Sequence, residues 1–319
     1  MTIRTLLFRL SWGIIICLSL AGLSEATVPR AFVSTQGLDT NPCSAVQPCR
    51  SFNQALTVVQ PGGEIIVQDS GGYSTGFTIT QSVTIDAGGF NASVLSTSAT
   101  VLCTINTAPS DRVVLKGITF HGANTGTFGI AVSQVGSLYV EHCSFSEFTG
   151  PGVDVFSASN LFVTDTDMRK CAVGVGAATF TAAPLNMVVE NSRFSEMVST
   201  GVALQSSGTG AATALITNCT ASLSEAGFEV FASAAGNVDM TLTNCRAIGN
   251  TSEGLSLTAQ STGNATMRIA NCVVTQNLVG ISALATGSGT ASVIGTAPGT
   301  NLIAGNGTGN SVGTTATLQ

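Results

Sequence analysis

The chain has 319 residues, of which 44% are hydrophobic and 9% are charged, and its formal net charge is −6. A chain of this length and apolar content can bury a large core. Because an acidic chain repels a phosphate backbone, the composition argues against a nucleic-acid partner.

Residues 1–26 have the layout of a cleavable signal peptide. Two arginines precede an apolar run over 13–18, and Ser24 and Ala26 place small side chains at the −3 and −1 positions relative to the predicted cleavage point. The apolar run is shorter than a membrane span of about 20 residues, so an uncleaved anchor is the less favoured alternative. We therefore predict a secreted or periplasmic protein whose mature form has no membrane span.

The segment over 27–63 is predicted to close the N-terminal end of the fold. Cys43 and Cys49 each follow a proline, in a turn-rich stretch outside any periodic pattern. Because an exported chain meets an oxidising compartment, a local disulfide is favoured over two free surface thiols. Residues 51–59 have apolar side chains at helical spacing and precede Pro-Gly-Gly, which predicts a short capping helix.

One unit recurs along most of the chain. A first column of the repeat has an amide side chain at a spacing of 26 or 27 residues: Asn191, Asn218, Asn244 and Asn271. A second column, of glycines, recurs in step with it: Gly174, Gly201, Gly227, Gly254 and Gly280. Two phased columns with a common period of about 26 residues indicate a solenoid.

Each unit contains short β-branched alternations separated by Gly, Asn and Ser, and nothing with an amphipathic helical run. Such segments are typical of short strands joined by turns. Strands this short bury a core only when each coil lies on the previous one, as parallel ladders about 4.8 Å apart. The sequence therefore predicts an all-β protein, a right-handed parallel β-helix over 64–319 with about 26 residues per coil.

Four motifs of the N-terminal part resemble a known family. They are Phe32–Cys43, Pro48–Phe52, Gly63–Ile65 and Asp69–Tyr73. With them the chain resembles a family of exported bacterial right-handed β-helix-repeat proteins, which belongs to the pectin-lyase-like fold group. Members of that family are mostly of unassigned function, so the resemblance implies the fold and export without implying an activity.

Two side-chain ladders are expected at one corner of the coil. The amide column, with Asp165 one coil earlier, is interpreted as a buried, hydrogen-bonded ladder, and an exposed amide array that binds sugar or ice is the alternative. The next position is a column of small, inward side chains: Cys143, Cys219, Cys245 and Cys272. Metal binding would need a Cys-x-x-Cys motif or clustered histidines, so core packing is preferred, and no metal or other cofactor is expected.

The scarce charged residues define one candidate catalytic patch. A polysaccharide lyase needs a strong base beside acidic groups, and Arg193 with Asp167 and Glu190 comes nearest to that arrangement, with Asp154 expected close by. The plainer interpretation is that opposite charges in one column, such as Asp167 and Arg193 on adjacent coils, form a surface ion ladder of small energetic value. On that interpretation no catalytic residue is assigned.

Three classes of function stay open. The favoured class is a non-catalytic exported protein of structural or surface-interaction type, whose partner is a polysaccharide or a cell-surface molecule. The first alternative is a carbohydrate-active enzyme, either a polysaccharide lyase or a glycoside hydrolase, which is supported by fold analogy alone. The second alternative is an adhesin or spike subunit.

The exported protein is expected to begin near Thr27 and to contain the Cys43–Cys49 disulfide. Intact-mass analysis before and after reduction should show the loss of the first 26 residues and the mass gain of one reduced disulfide. Alkylation of both thiols in the unreduced protein would show that the pairing is wrong.

Overall fold

The chain is wound into a parallel β-helix. The computed structural model describes residues 27–98, 100–295 and 300–309. The predicted signal peptide lies outside the described residues. Within them a typical coil contributes one strand to each of three parallel sheets, which we call A, B and C in chain order.

The described strands are distributed over the three sheets as follows. Sheet A contains Val28–Val33, Val59–Val67, Val83–Asp86, Arg112–Lys116, the last part of Phe128–Glu141, Ala158–Thr164, Leu185–Glu190, Ala212–Thr217, Val238–Thr243, Ala265–Ala270 and Ala291–Gly295. Sheet B contains Gly71–Ser74, Ala92–Leu95, Ile118–His121, Ser144–Ser146, Asp167–Arg169, Arg193–Ser195, Thr220–Ser222, Arg246–Ile248, Val273–Thr275 and Leu302–Ile303. Sheet C contains Phe77–Ile79, Val101–Asn106, the first part of Phe128–Glu141, Val153–Val155, Val175–Thr179, Thr200–Ser206, Ala226–Ala232, Glu253–Ala259 and Val279–Ala285.

Alternating side chains build one continuous core. In Val238–Thr243 every second side chain is buried, and the residues between them face outward. Register partners lie one repeat apart, so that Ile216, Leu242 and Ile269 stack along the axis. Each such aliphatic side chain contributes about 1.5–3 kcal/mol when fully buried. The predicted all-β solenoid with about 26 residues per coil is confirmed.

A single residue turns most coils from sheet A to sheet B. At this A–B corner the residue has a left-handed backbone, with φ between 49° and 72°: Gly117, His142, Asp165, Asn191, Asn218, Asn244 and Asn271. Asparagine, aspartate and glycine tolerate this conformation better than other residues. The recurring asparagines of the sequence therefore reflect the backbone geometry of the A–B corner, and we call this set the corner column.

A second left-handed residue follows sheet B in several coils. At this B–C corner the side chain varies widely: Glu147, Lys170, Glu196, Leu223 and Gln276, with φ between 54° and 60°. The residue after it points inward and is buried, as Met197 and Ser224 are. At the B–C corner the residue after the turn is therefore buried, and its type varies along the chain as that of the turn residue does.

A buried asparagine ladder occupies that inward position in the last coils. Asn250, Asn277 and Asn306 are 2%, 3% and 8% exposed. Asn250 Nδ2 donates to Asn277 Oδ1, and Asn277 Nδ2 donates to Asn306 Oδ1, both at 2.9 Å. The backbone N–H groups of Asn250 and Asn277 donate to the same two oxygens at 3.0 Å. Each side-chain amide thus satisfies both the side chain and the backbone of the preceding coil.

The N-terminal segment contains the predicted short helix, Phe52–Val58. Ser51 caps it, because its Oγ accepts a hydrogen bond from the backbone N–H of Gln54 at 3.2 Å. Phe52 and Ala55 are buried, and the helix contacts the first strands of all three sheets. In the described ranges no helix is long and apolar enough to cross a membrane.

A disulfide joins Cys43 to Cys49, with their Cα atoms 4.6 Å apart. Both residues also form backbone hydrogen bonds with the first strand of sheet A. Phe32 N–H donates to the carbonyl oxygen of Cys43 at 2.8 Å, and Cys49 N–H donates to the carbonyl oxygen of Phe32 at 2.9 Å. Backbone hydrogen bonds therefore hold the disulfide loop against the first strand of sheet A.

The two asparagine sets are expected to differ in their effect on stability. Asn277→Ala should lower the free energy of unfolding by about 2–4 kcal/mol, because it leaves buried donors of Asn250 without an acceptor. Asn244→Gly should cost less than about 1 kcal/mol, because glycine retains the left-handed turn and the lost amide is exposed. Urea unfolding followed by circular dichroism measures both. Equal losses would contradict this distinction.

Candidate functional site

The corner column lies on the surface rather than in the core. Asn218 Nδ2 donates to Asn191 Oδ1, and Asn244 Nδ2 donates to Asn218 Oδ1, both at 3.2 Å. These residues and Asn271 are exposed, so the prediction of a buried ladder here is wrong in that respect. At a one-residue corner the left-handed residue carries its side chain away from the axis, and the next residue supplies the inward side chain.

The predicted cysteine column supplies that inward side chain. Cys143, Cys219, Cys245 and Cys272 are buried free thiols. The Sγ atoms of Cys219 and Cys245 each lie 3.3 Å from the carbonyl oxygen two residues earlier. Burial raises the pKa of Cys219 to about 11, so its thiol stays protonated at neutral pH. These side chains pack the A–B corner beneath the exposed corner column.

The structure brings two of the three candidate catalytic residues side by side. Asp167 and Arg193 are register partners on adjacent strands of sheet B, and both are exposed. Glu190 ends a strand of sheet A, across the A–B corner from Arg193. Asp154 lies on a strand of sheet C, so the expectation that it is close to the other three is wrong. The base and its nearest acid therefore stand on the outer surface of a sheet.

A cavity of about 630 Å³ lies at the A–B corner in the first third of the chain. Residues 88–91 form one wall, and Asp86, Lys116, Thr119 and His142 contribute to the remainder. This volume is within the range of pockets that hold small molecules. We call it the corner cavity.

A second concave surface lies on the outer face of sheet C. Gly176 and Ala203 are register partners and form a floor of small side chains. Asp154 pairs with Gly176 on one side, and Glu229 pairs with Ala203 on the other. A cavity of about 260 Å³ occupies the end near Glu229. We call this surface the sheet C groove.

A phenylalanine accompanies each carboxylate of the sheet C groove. Phe156 follows Asp154 by two residues, and Phe231 follows Glu229 at the same spacing on the same outer face. The ring of Phe180 is centred 6.4 Å from that of Phe156, and these two side chains are 52% and 44% exposed. The groove thus has an acid and an aromatic ring at each end. Gly176 and Ala203 lie between the two acids, and Gln205 is the register partner of Phe231 on the aromatic side.

Partial burial changes the electrostatics of both carboxyl groups. Burial raises the pKa of Asp154 to about 6. Burial also raises the pKa of Glu229, and the charges of Glu253 and Glu225 raise it further, while a hydrogen bond opposes the shift. In that hydrogen bond Thr200 Oγ1 donates to Glu229 Oε2 at 2.9 Å. Near pH 6 Asp154 is therefore only partly ionised, and the pKa of Glu229 is shifted in the same direction.

The separation of the two carboxyl groups limits what they can do together. Asp154 and Glu229 are three coil steps apart in register. At about 4.8 Å per step the distance between their strands is about 14 Å. The paired carboxyl groups of glycosidases are only about 5–9.5 Å apart. The two acids can bind different parts of a long ligand, but they cannot act on one glycosidic bond.

Relative to the wild type, Asp154→Asn is expected to be more stable at neutral pH than it is at pH 4. The folded pKa of Asp154, about 6, exceeds the unfolded value of about 4. The stability contributed by the protonated carboxyl is therefore complete below pH 4 and is lost as pH rises through 6. Urea unfolding of both proteins should give a stability difference about 1–2 kcal/mol larger at pH 7.5 than at pH 4. A difference independent of pH would contradict the raised pKa.

Residues 65–239 match the family model described as the right handed beta helix region, and this match covers more than half of the chain. The chain belongs to the right-handed β-helix family. The matched residues include early strands of sheet A and both acids of the sheet C groove, Asp154 and Glu229. No curated protein sequence matches the chain significantly.

Solved structures resemble this right-handed β-helix protein over most of its length. The crystal structure of pectate lyase Pel9A superposes with a TM-score of 0.58 at 18% identity, covering 84% of this chain and 80% of that chain. A rhamnogalacturonan lyase superposes with a TM-score of 0.59 at 13% identity, covering 76% of this chain and 74% of that chain. At these identities the similarity shows a shared pectin-lyase-like fold.

Proposed function

We propose that this β-helix protein is a non-catalytic, extracytoplasmic protein that binds an extended polysaccharide in the sheet C groove. The observation that carries the proposal is the matched pair of groove ends, each with a carboxyl group and a phenylalanine. The Cys43–Cys49 disulfide supports the extracytoplasmic location, because such bonds persist mainly in oxidising compartments.

The groove offers the two kinds of contact that a sugar chain needs. Carboxylate oxygens accept hydrogen bonds from hydroxyl groups. Aromatic rings cover apolar surface such as the C–H face of a sugar ring. The floor of Gly176 and Ala203 lets a ligand approach the strands closely. A length of about 14 Å suits a segment of a chain rather than one ring.

The charge of the groove selects against an anionic polymer. Asp154 and Glu229 lie in the groove, and the charges of Glu225 and Glu253 act on Glu229. A polyuronate would bring further carboxylates to this surface and would be repelled. We therefore propose a neutral polysaccharide as the ligand.

The second candidate is a carbohydrate-active enzyme, which is favoured by the similarity to two lyase structures. Its candidate base, Arg193, and the neighbouring Asp167 are on sheet B, whereas the groove is on sheet C. A base on another face of the solenoid cannot reach a sugar chain that lies in the groove. An adhesin or spike subunit would use the same groove as part of a larger assembly.

Affinity electrophoresis in gels that contain a soluble neutral glucan, galactan or mannan tests the binding proposal. At least one of these polysaccharides should retard the mature protein, and polygalacturonate and alginate should not. The double variant Phe156→Ala/Phe231→Ala should weaken retardation by about tenfold or more. Phe162→Ala is the matched control, because Phe162 stacks on Tyr139 at 4.5 Å on the outer face of sheet A.

The same protein is expected to cleave neither polygalacturonate nor alginate, with or without added calcium. Ultraviolet absorbance of unsaturated ends and release of reducing sugar measure cleavage. Turnover that Arg193→Ala abolishes would overturn the non-catalytic proposal and favour the enzyme. Retardation that is unchanged in the double variant would remove the sheet C groove as the binding site.

A further inference from the structure

The corner cavity lies beside a coil that departs from the repeat. From Gly117 to Asn271 a single left-handed residue makes the A–B corner, whereas the coil that contains Asp86 uses the five residues 87–91. Gly88 and Gly89 have φ values of 58° and 87°, and Asp86 Oδ1 accepts a hydrogen bond from Gly88 N–H at 2.7 Å. The longer loop therefore has a defined conformation and stands beside the one-residue corners as a wall.

The coil next to that wall lacks a side chain at the corner. Gly117 occupies the position that His142, Asp165 and the asparagines fill in later coils. A Cβ atom at Gly117 would lie only 3.1 Å from Ala87 Cβ. The long loop and the glycine are on adjacent coils, and together they create the depth of the cavity.

The cavity wall combines a charge pair with an exposed aromatic ring. Lys116 Nζ lies 3.9 Å from Asp86 Oδ2, and Glu141 is the register partner of Lys116 on its other side. Phe90 is 43% exposed and lines the cavity. Because Lys116 lies between two acids, the cavity wall has no net positive charge. A neutral ligand rich in hydrogen-bonding groups therefore fits it better than an anion.

The remaining polar groups of the cavity are held in place by hydrogen bonds or charge contacts. Asn91 Oδ1 accepts from Thr119 Oγ1 at 3.1 Å. His142 Nε2 lies 3.5 Å from Asp165 Oδ2 in the next coil. Such contacts orient the amide and the imidazole before a ligand arrives, which lowers the entropic cost of binding.

We infer that the corner cavity binds one residue of a neutral sugar. The C–H face of the sugar ring packs on Phe90, and its hydroxyl groups hydrogen-bond to Asp86, Lys116 and His142. This site is at the A–B corner and the sheet C groove is on another face, so the inference does not depend on the groove. If both sites bind sugar, one protein can hold a glycan at two points and gain avidity.

Saturation-transfer NMR on the disulfide-intact mature protein tests the inference, with the methyl glycosides of glucose, galactose and mannose as probes and galacturonic acid as the anionic comparison. Irradiation of aromatic protons should saturate the C–H protons of at least one methyl glycoside. Phe90→Ala should weaken binding by about tenfold or more. Gly117→Asn should also weaken it, because asparagine can adopt the left-handed backbone of this corner and its Cβ, 3.1 Å from that of Ala87, adds a side chain beside the cavity.

Leu95→Ala is the matched control, because Leu95 is an exposed apolar side chain on the strand that follows the loop. Binding by Leu95→Ala should equal that of the wild type, and the part of the binding that depends on Phe90 should persist in Phe156→Ala/Phe231→Ala. The inference is overturned if no methyl glycoside binds, if galacturonic acid binds more tightly, or if Phe90→Ala and Gly117→Asn both bind normally while their thermal unfolding is unchanged. Loss in Phe156→Ala/Phe231→Ala alone would assign the sugar to the sheet C groove instead, supporting the proposed function while rejecting this site.

Discussion

Each coil of this protein gains its hydrogen bonds and most of its buried surface from the coils directly above and below it. Short strands such as Val153–Val155 cannot form a stable sheet alone, so the coil-to-coil register is the constraint on which the rest of the structure depends. To keep this register, most coils turn sharply at the same place. A left-handed residue at the A–B corner meets that requirement in a single step.

That constraint explains why the same residue type has two different roles. At the A–B corner asparagine is favoured because it tolerates a positive φ, and its side chain is exposed, as in Asn244. In the last coils of the B–C corner an asparagine follows the turn and points inward, as in Asn277. There its amide is buried and must satisfy the chain of the preceding coil. Spacing alone cannot separate the two roles, because both sets repeat at nearly the same period.

The two candidate binding surfaces are places where a column changes its residue type. Where a column repeats the same kind of outward side chain, the surface is even. In this protein the two concavities lie where the outward side chains become small or where a corner becomes longer. Gly176 and Ala203 between Asp154 and Glu229 make the sheet C groove, and Gly117 beside the loop 87–91 makes the corner cavity. In this solenoid, interruptions of the repeat thus coincide with the two candidate binding surfaces.

The sequence by itself determined the fold, the repeat length, the capping helix and the pairing of Cys43 with Cys49, because each depends on local periodicity or close neighbours in the chain. It also placed Asp167 beside Arg193, since a constant period predicts which residues become register partners. A repeated acid-Val-Phe triplet over 154–156 and 229–231 is a sequence signal of the sheet C groove that the amide and glycine columns of the repeat do not include. Only the tertiary structure decided which side of each corner faces the core and which sheet each acid occupies. Those properties depend on where the chain turns within a coil, and a period of about 26 residues specifies how often it turns but not in which direction each side chain points.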